Sequence, residues 1–148
     1  ATTVAKTKFT SKIVETLTLK SQPQQVITTL EINDVTDYSH RIMSVATGTS
    51  TIMNLGVSDA AGRIEAARFK YMRITNLDDT NNVRLTFQLT SNTDTYEVVI
   101  GPKTSHILTS QSGDITTGGA DASLEDITVI KGTAVTADCD VEVFTVST

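Results

Sequence analysis

Arg73–Thr90 reads RITNLDDTNNVRLTFQLT. Its second half decides the fold class. Val83, Leu85, Phe87 and Leu89 alternate with Arg84, Thr86, Gln88 and Thr90. Successive side chains of a strand point to opposite faces, so a period of two predicts a strand with one face in a core. Ahead of it lies DDTNN, Asp78–Asn82, which could be a metal loop or a bend. Counted from Asp78, the alternate positions Asp78, Thr80 and Asn82 offer oxygens. However, the sixth residue is Val83 where a calcium loop needs Gly, and the twelfth is Leu89 where it needs Glu. Asp and Asn favour turns because their side chains satisfy nearby backbone groups. The segment is therefore predicted to be a corner between strands, with a weak surface metal site near Asp78–Asn82 left open.

The same rhythm extends outward. SKIVETLTLK and VITTLEI are predicted strands around a turn at SQPQQ, and NDVTDYS is a polar connection. HRIMSVAT and STIMNLG read as a hairpin joined at Gly48. SDAAGRIEAARFKYM reads as a loop or one helical turn, followed by a strand over about 68–76. There the slip in parity between Tyr71 and Met72 predicts a bulge or burial on both faces. TYEVVI, TSHILTS, LEDITVIK and DVEVFTVS complete about nine strands, with QSGDITTGGAD as a long loop. The predicted fold is all-β, an antiparallel β-sandwich or jelly roll. Composition agrees: 53 of 148 residues are Thr, Val or Ile, whose branched side chains suit a pleated surface. Residues 1–12 read as a flexible basic N-terminal arm and 13–148 as a single domain.

Charge is uneven. Residues 1–20 carry Lys6, Lys8, Lys12 and Lys20 against Glu15, whereas residues 110–148 carry seven acids against Lys131. The four lysines are the candidate partner-contact residues, facing an acidic neighbour. The net charge of −5 argues against nucleic acid as a partner. No apolar run reaches the roughly 18 residues of a membrane span. The first twelve residues lack a signal peptide's apolar core, and a start at Ala fits loss of an initiator Met. Cys139 is alone, so no disulfide framework is expected, and it reads as a small core residue.

Catalytic chemistry finds little support. No G-x-S-x-G elbow is present. TTGGAD lacks a P-loop lysine, and no His/Cys cluster suits zinc. His40 follows Ser39, but neighbours on a strand face opposite ways. His106 sits beside Ile107 on another predicted strand. Neither is assigned a catalytic role, and no cofactor or metal is expected. Most of the few aromatics lie on inward parities.

Within residues 68–110, RFKYMRITNLDDTNNVRLTFQLTSNTDTYEVVIGPKTSHIL runs strand, ITNLD corner, strand, turn, strand, GPKTS corner, strand. Together with the closing LEDITVIKGTAVTADCDVEVFTVS, this resembles the small β-rich structural virion proteins of tailed bacteriophages. The pattern covers about half the chain. The resemblance implies a non-enzymatic protein of the virion, assembled in the host cytoplasm, whose partners are the major capsid protein or other virion subunits. It also implies a homo-oligomer, with a trimer favoured. The chain is short for a major capsid subunit, so a capsid decoration (cement) protein bridging neighbouring capsomers is the expectation. A tail or fibre domain that binds a receptor or glycan, and a jelly-roll hydrolase, are the other two readings.

Overall fold

The computed structural model describes residues 4–56, 63–89, 95–109, 115–117, 120–122 and 126–148. The expected turn at SNTD lies outside them, as do parts of the loop at QSGDITTGGAD. The chain divides into two compact units, Ala1–Thr36 with Thr148, and Asp37–Ser147. This is not the expected division at residue 12.

The first unit is one long hairpin. Strands β1 (Thr7–Leu19) and β2 (Gln22–Val35) pair antiparallel, with Leu19 opposite Gln22 and Val14 opposite Ile27. The flexible arm expected over 1–12 is therefore corrected. From Thr7 onward it is strand, because its Thr-rich sequence finds a complementary partner in the Thr- and Ile-rich β2. Likewise the polar connection expected at NDVTDYS is mostly strand, since β2 runs to Val35. Lys20 and Ser21 form a two-residue turn with φ of 48° and 63°. Near the base the register slips between Thr7 and Phe9, where Asp34 takes a φ of 60° and forms a bulge.

The second unit is an all-β sandwich. It contains β3 (Asp37–Val45), β4 (Ser50–Gly56), β5 (Arg63–Glu65), β6 (Phe69–Asn76), β7 (Val83–Leu89), β8 (Thr95–Ile100) and β9 (Ser105–Thr109). Then follow the short β10 (Ile115–Thr117) and β11 (Ala120–Ala122), and finally β12 (Ile127–Ala134) and β13 (Cys139–Ser147). A single 3₁₀ turn at Ala66–Arg68 precedes β6, as the ambiguous segment suggested. Among the described residues there are thus thirteen strands, more than the nine expected. Long β1 and β2 lie outside the sandwich, and β5, β10 and β11 are three residues each.

One sheet has the order β3-β13-β6-β9 and the other β5-β4-β12-β7-β8. All the sandwich pairings are antiparallel except β4–β5. Consecutive strands therefore tend to change sheet. Gly48 does not close a hairpin, because β3 and β4 lie in different sheets. Strands β12 and β13 are likewise not paired with each other. The ITNLD corner carries the chain from β6 in one sheet to β7 in the other, and GPKTS carries it back from β8 to β9.

A single apolar core fills the space between the sheets. Phe69, Met72, Ile74, Val141 and Val143 come from one side, and Ile52, Val83, Leu85, Phe87, Ile127 and Ile130 from the other. Burying each such side chain contributes about 1.5–3 kcal/mol. Tyr71 and Met72 are both buried, so the parity slip marks a strand covered on both faces. At Gly132 an added Cβ would lie 2.9 Å from Ile52 Cδ1 and 3.2 Å from Val45 Cγ1. A close approach of side chains to the backbone is what requires glycine there.

Candidate interaction surfaces

The hairpin register sorts its side chains into two faces, because directly opposed residues point the same way. Ile13, Glu15, Leu17 and Leu19 share a face with Val26 and Leu30. Leu17 and Leu19 are 61% and 62% exposed, and Ile13 and Val26 are also open to solvent. The other face is mainly Thr, Gln and Lys12, interrupted by the Val14–Ile27 pair. The four candidate lysines all fall on this hairpin or its approach. Lys6 Nζ lies 3.9 Å from Asp34 Oδ1, and Lys8 Nζ lies 3.2 Å from Glu31 Oε1. Lys12 and Lys20 make no ion pair among the described residues. The structure thus spreads the lysines along one ribbon and does not gather them. The apolar ribbon face was missed in the sequence, although the alternation of Ile13, Leu17 and Leu19 was visible. Alternation marks an apolar face but not whether the chain itself covers it.

The outer face of the β3-β13-β6-β9 sheet carries a second cluster. Tyr38 is 70% exposed and Ile42 62%. Phe144 is ringed by Tyr38, His40 and Tyr71, with centroids 6.0 to 6.4 Å away. Beside it, His40 Nε2 lies 3.0 Å from Glu142 Oε2. Arg73 Nη1 donates to Glu142 Oε1 at 2.6 Å and to Thr75 Oγ1 at 2.5 Å. Hydrogen bonds from His40 and Arg73 hold the Glu142 carboxyl below its ordinary range. The cross-strand register, with Phe144 opposite both His40 and Arg73, makes this network.

Asp78 acts as a turn-former. Its Oδ1 accepts the backbone N–H of Asn81 at 2.6 Å and of Thr80 at 2.7 Å. Those bonds, Asn81's first, lower its carboxyl below the ordinary value. Asp78 and Asp79 also line an open cavity of about 610 Å³ with Leu77, Lys103, Asp138 and Asp140. Among the described residues no group of three or more His, Cys, Asp or Glu side chains is arranged to hold a metal ion.

The two remaining candidates belong to the core. His106 points between the sheets, its ring 5.7 Å from Phe87 and 6.0 Å from Tyr96. Its Nε2 is buried without a hydrogen-bond partner, and burial pushes its pKa down. Cys139 is buried, and burial, then the nearby Asp78, Asp138 and Asp140, push its thiol pKa up. Such a thiol is a poor nucleophile.

Comparison with family models, with curated proteins and with solved structures returns no match. Function therefore rests on the surfaces themselves.

Proposed function

We propose that this chain is a non-enzymatic structural protein of a phage virion, a capsid decoration protein that bridges neighbouring capsomers. The hairpin carries this reading. A two-stranded ribbon is marginally stable by itself in water, yet this one has strands of thirteen and fourteen residues and leaves large apolar side chains open. A surface of that kind is completed by another subunit. It takes the place of the flexible arm as the adhesive element. Lys12 and Lys20, unmatched among the described residues, supply charge for an acidic neighbour.

The sandwich supports the same reading. Its eight principal strands, numbered from Asp37, order as 1-8-3-6 and 2-7-4-5. That order supports a jelly-roll reading of the sandwich, an architecture that recurs in viral capsid domains, lectins and cupins. Fold alone does not choose among these. The mechanism is avidity: many copies of a modest contact hold the shell. The partners are the major capsid protein or other virion subunits.

Copy number in purified virions tests the role. Hundreds of copies are expected. A handful would point to a fibre or connector, and none would overturn the reading. Replacing Lys12 and Lys20 with Glu should lower the salt resistance of attachment, and unchanged occupancy would remove the lysines from the interface.

The exposed Tyr38 beside Phe144, His40 and Arg73 favours a second reading, a tail or fibre domain that binds a receptor or glycan. Loss of adsorption from particles stripped of this protein would select it, because a decoration protein is dispensable for adsorption.

A further inference from the structure

The hairpin sheet contains β1 and β2 and no third strand. Ile13, Leu17, Leu19 and Val26 form one open patch on it. A contiguous exposed apolar patch rimmed by polar residues is characteristic of interaction sites. The occupant must cover that patch and also answer Glu15, which lies in its middle opposite Val26.

A second hairpin fails the second requirement. The register places no Lys or Arg on Glu15's face, so hairpin-on-hairpin packing would bury Glu15 against apolar side chains. An unpaired buried charge is strongly destabilising. The outer face of the β5-β4-β12-β7-β8 sheet fails the first requirement. Only Val99 and Val129 are apolar there, set among Arg84, Thr86, Gln88, Glu97, Lys131 and Thr133, so it offers a mostly polar surface.

The outer face of the β3-β13-β6-β9 sheet meets both. Tyr38 and Ile42 stand open along its β3 edge, and His40 and Arg73 lie on the same face, whereas Tyr71 and Val146 farther across it are buried. These two already share Glu142, so Glu15 would join an existing charge network. The broader balance agrees. Residues 1–36 hold four lysines against Glu15, Glu31 and Asp34, while the rest of the chain holds eight cations against fourteen acids. Opposite charges steer one copy's hairpin toward the body of another.

We infer that the apolar face of the β1–β2 hairpin docks on the β3 side of the outer face of the β3-β13-β6-β9 sheet of a second copy of this chain. Each subunit then gives one hairpin and receives one. Such a head-to-tail contact closes into a ring where the rotation permits. The inference stands on these two surfaces and does not depend on the virion role.

Sedimentation of the intact chain tests it, alongside Leu17→Glu with Leu19→Glu on the hairpin and Ile42→Glu on the sheet. The native chain should be an oligomer. Each variant alone should dissociate, the hairpin pair by about a hundredfold or more in Kd, as the loss of two buried leucines implies. Mixing the two variants should restore association, since each keeps the surface the other has lost. All three side chains are exposed, so the circular dichroism and melting of the body should persist. Should either variant unfold, Leu19→Gln and Ile42→Gln give the same reading. A monomeric native chain, an oligomer that survives Ile42→Glu, or a mixture that stays monomeric would each overturn the proposal.

Discussion

Asn76 donates its side-chain amide to the Gly101 carbonyl at 3.2 Å, joining two corners that lie 25 residues apart. The same Nδ2 reaches the Asn81 carbonyl at 2.8 Å, and Oδ1 accepts the Asp78 N–H at 3.0 Å. The Asn76 backbone N–H donates to the Thr104 carbonyl at 3.0 Å. Asn76 is fully buried and pins both inter-sheet crossings together. Asn76→Ala would take this partner from the Asn81 carbonyl and the Asp78 N–H, while the Gly101 carbonyl keeps Thr104, so it should cost about 1–3 kcal/mol. Asn76→Asp keeps the shape but swaps a donor for a buried charge, and should cost at least as much. Chemical denaturation of both variants checks this, and a loss under about 0.5 kcal/mol would mean the amide is not a tie.

Asp78 and Asp79 should differ although they are neighbours. Asp78 accepts two backbone N–H groups, whereas Asp79 accepts only the Thr80 hydroxyl at 3.1 Å among the described residues. Asp78→Ala should lower the melting temperature more than Asp79→Ala. Because the folded Asp78 carboxyl titrates below its ordinary value, its contribution is present above that value and lost as pH falls through the folded one. Added calcium should leave the melting temperature unchanged, because Asp78 Oδ1 is already committed to the turn. A calcium-dependent rise would show a metal site in this corner.

The strands were legible where one face is buried and the other wet. Val83–Leu89 alternates strictly because its inner side chains meet the core and its outer ones meet solvent. The two corners were legible because Asn, Asp, Gly and Pro have local backbone roles. Sheet membership was not. A corner between sheets and a hairpin turn use the same residues, so Gly48 looked like a hairpin although its strands separate. The length of the N-terminal strands was also hidden. Thr and Lys over Thr7–Lys12 look like a solvated tail until the partner strand supplies their hydrogen bonds. His40, Arg73 and Glu142 come together only through cross-strand register between distant segments, which sequence spacing cannot express.

His106 should make the fold acid-sensitive. Burial lowers its folded pKa beneath the ordinary value of about 6.5. Above that value both folded and unfolded chains carry it neutral. As pH falls below it, the unfolded chain binds the proton first, so stability drops until the folded pKa is reached. The limiting slope is about 1.4 kcal/mol per pH unit. Glu142 adds a loss of the same sign in a lower window, as pH falls from its ordinary 4.5. His106→Leu removes the unpaired ring nitrogen, so it should be neutral or gain about 1 kcal/mol at pH 7. It should also flatten the slope just below pH 6.5. An unchanged slope in this variant would assign the acid sensitivity elsewhere.

The turn at Lys20 and Ser21 is the hairpin's weak point. Both residues sit at positive φ, where a Cβ costs about 1–2 kcal/mol and where Asn-Gly is the favoured pair. Leu19 opposite Gln22 fixes the loop at two residues, and a hairpin with so short a loop takes its register from the turn. Lys20→Asn with Ser21→Gly should therefore stabilise the hairpin by about 1–2 kcal/mol. The readout is amide hydrogen exchange along β1 and β2, because the hairpin is a compact unit of its own and a global melt would dilute the effect. Protection should rise toward the tip, at Thr16–Leu19 and their partners Gln22–Gln25. The same double substitution removes Lys20, so Lys20→Gln alone serves as the charge control. If protection is unchanged in the Asn-Gly variant, the ribbon's ends are held by something other than its turn.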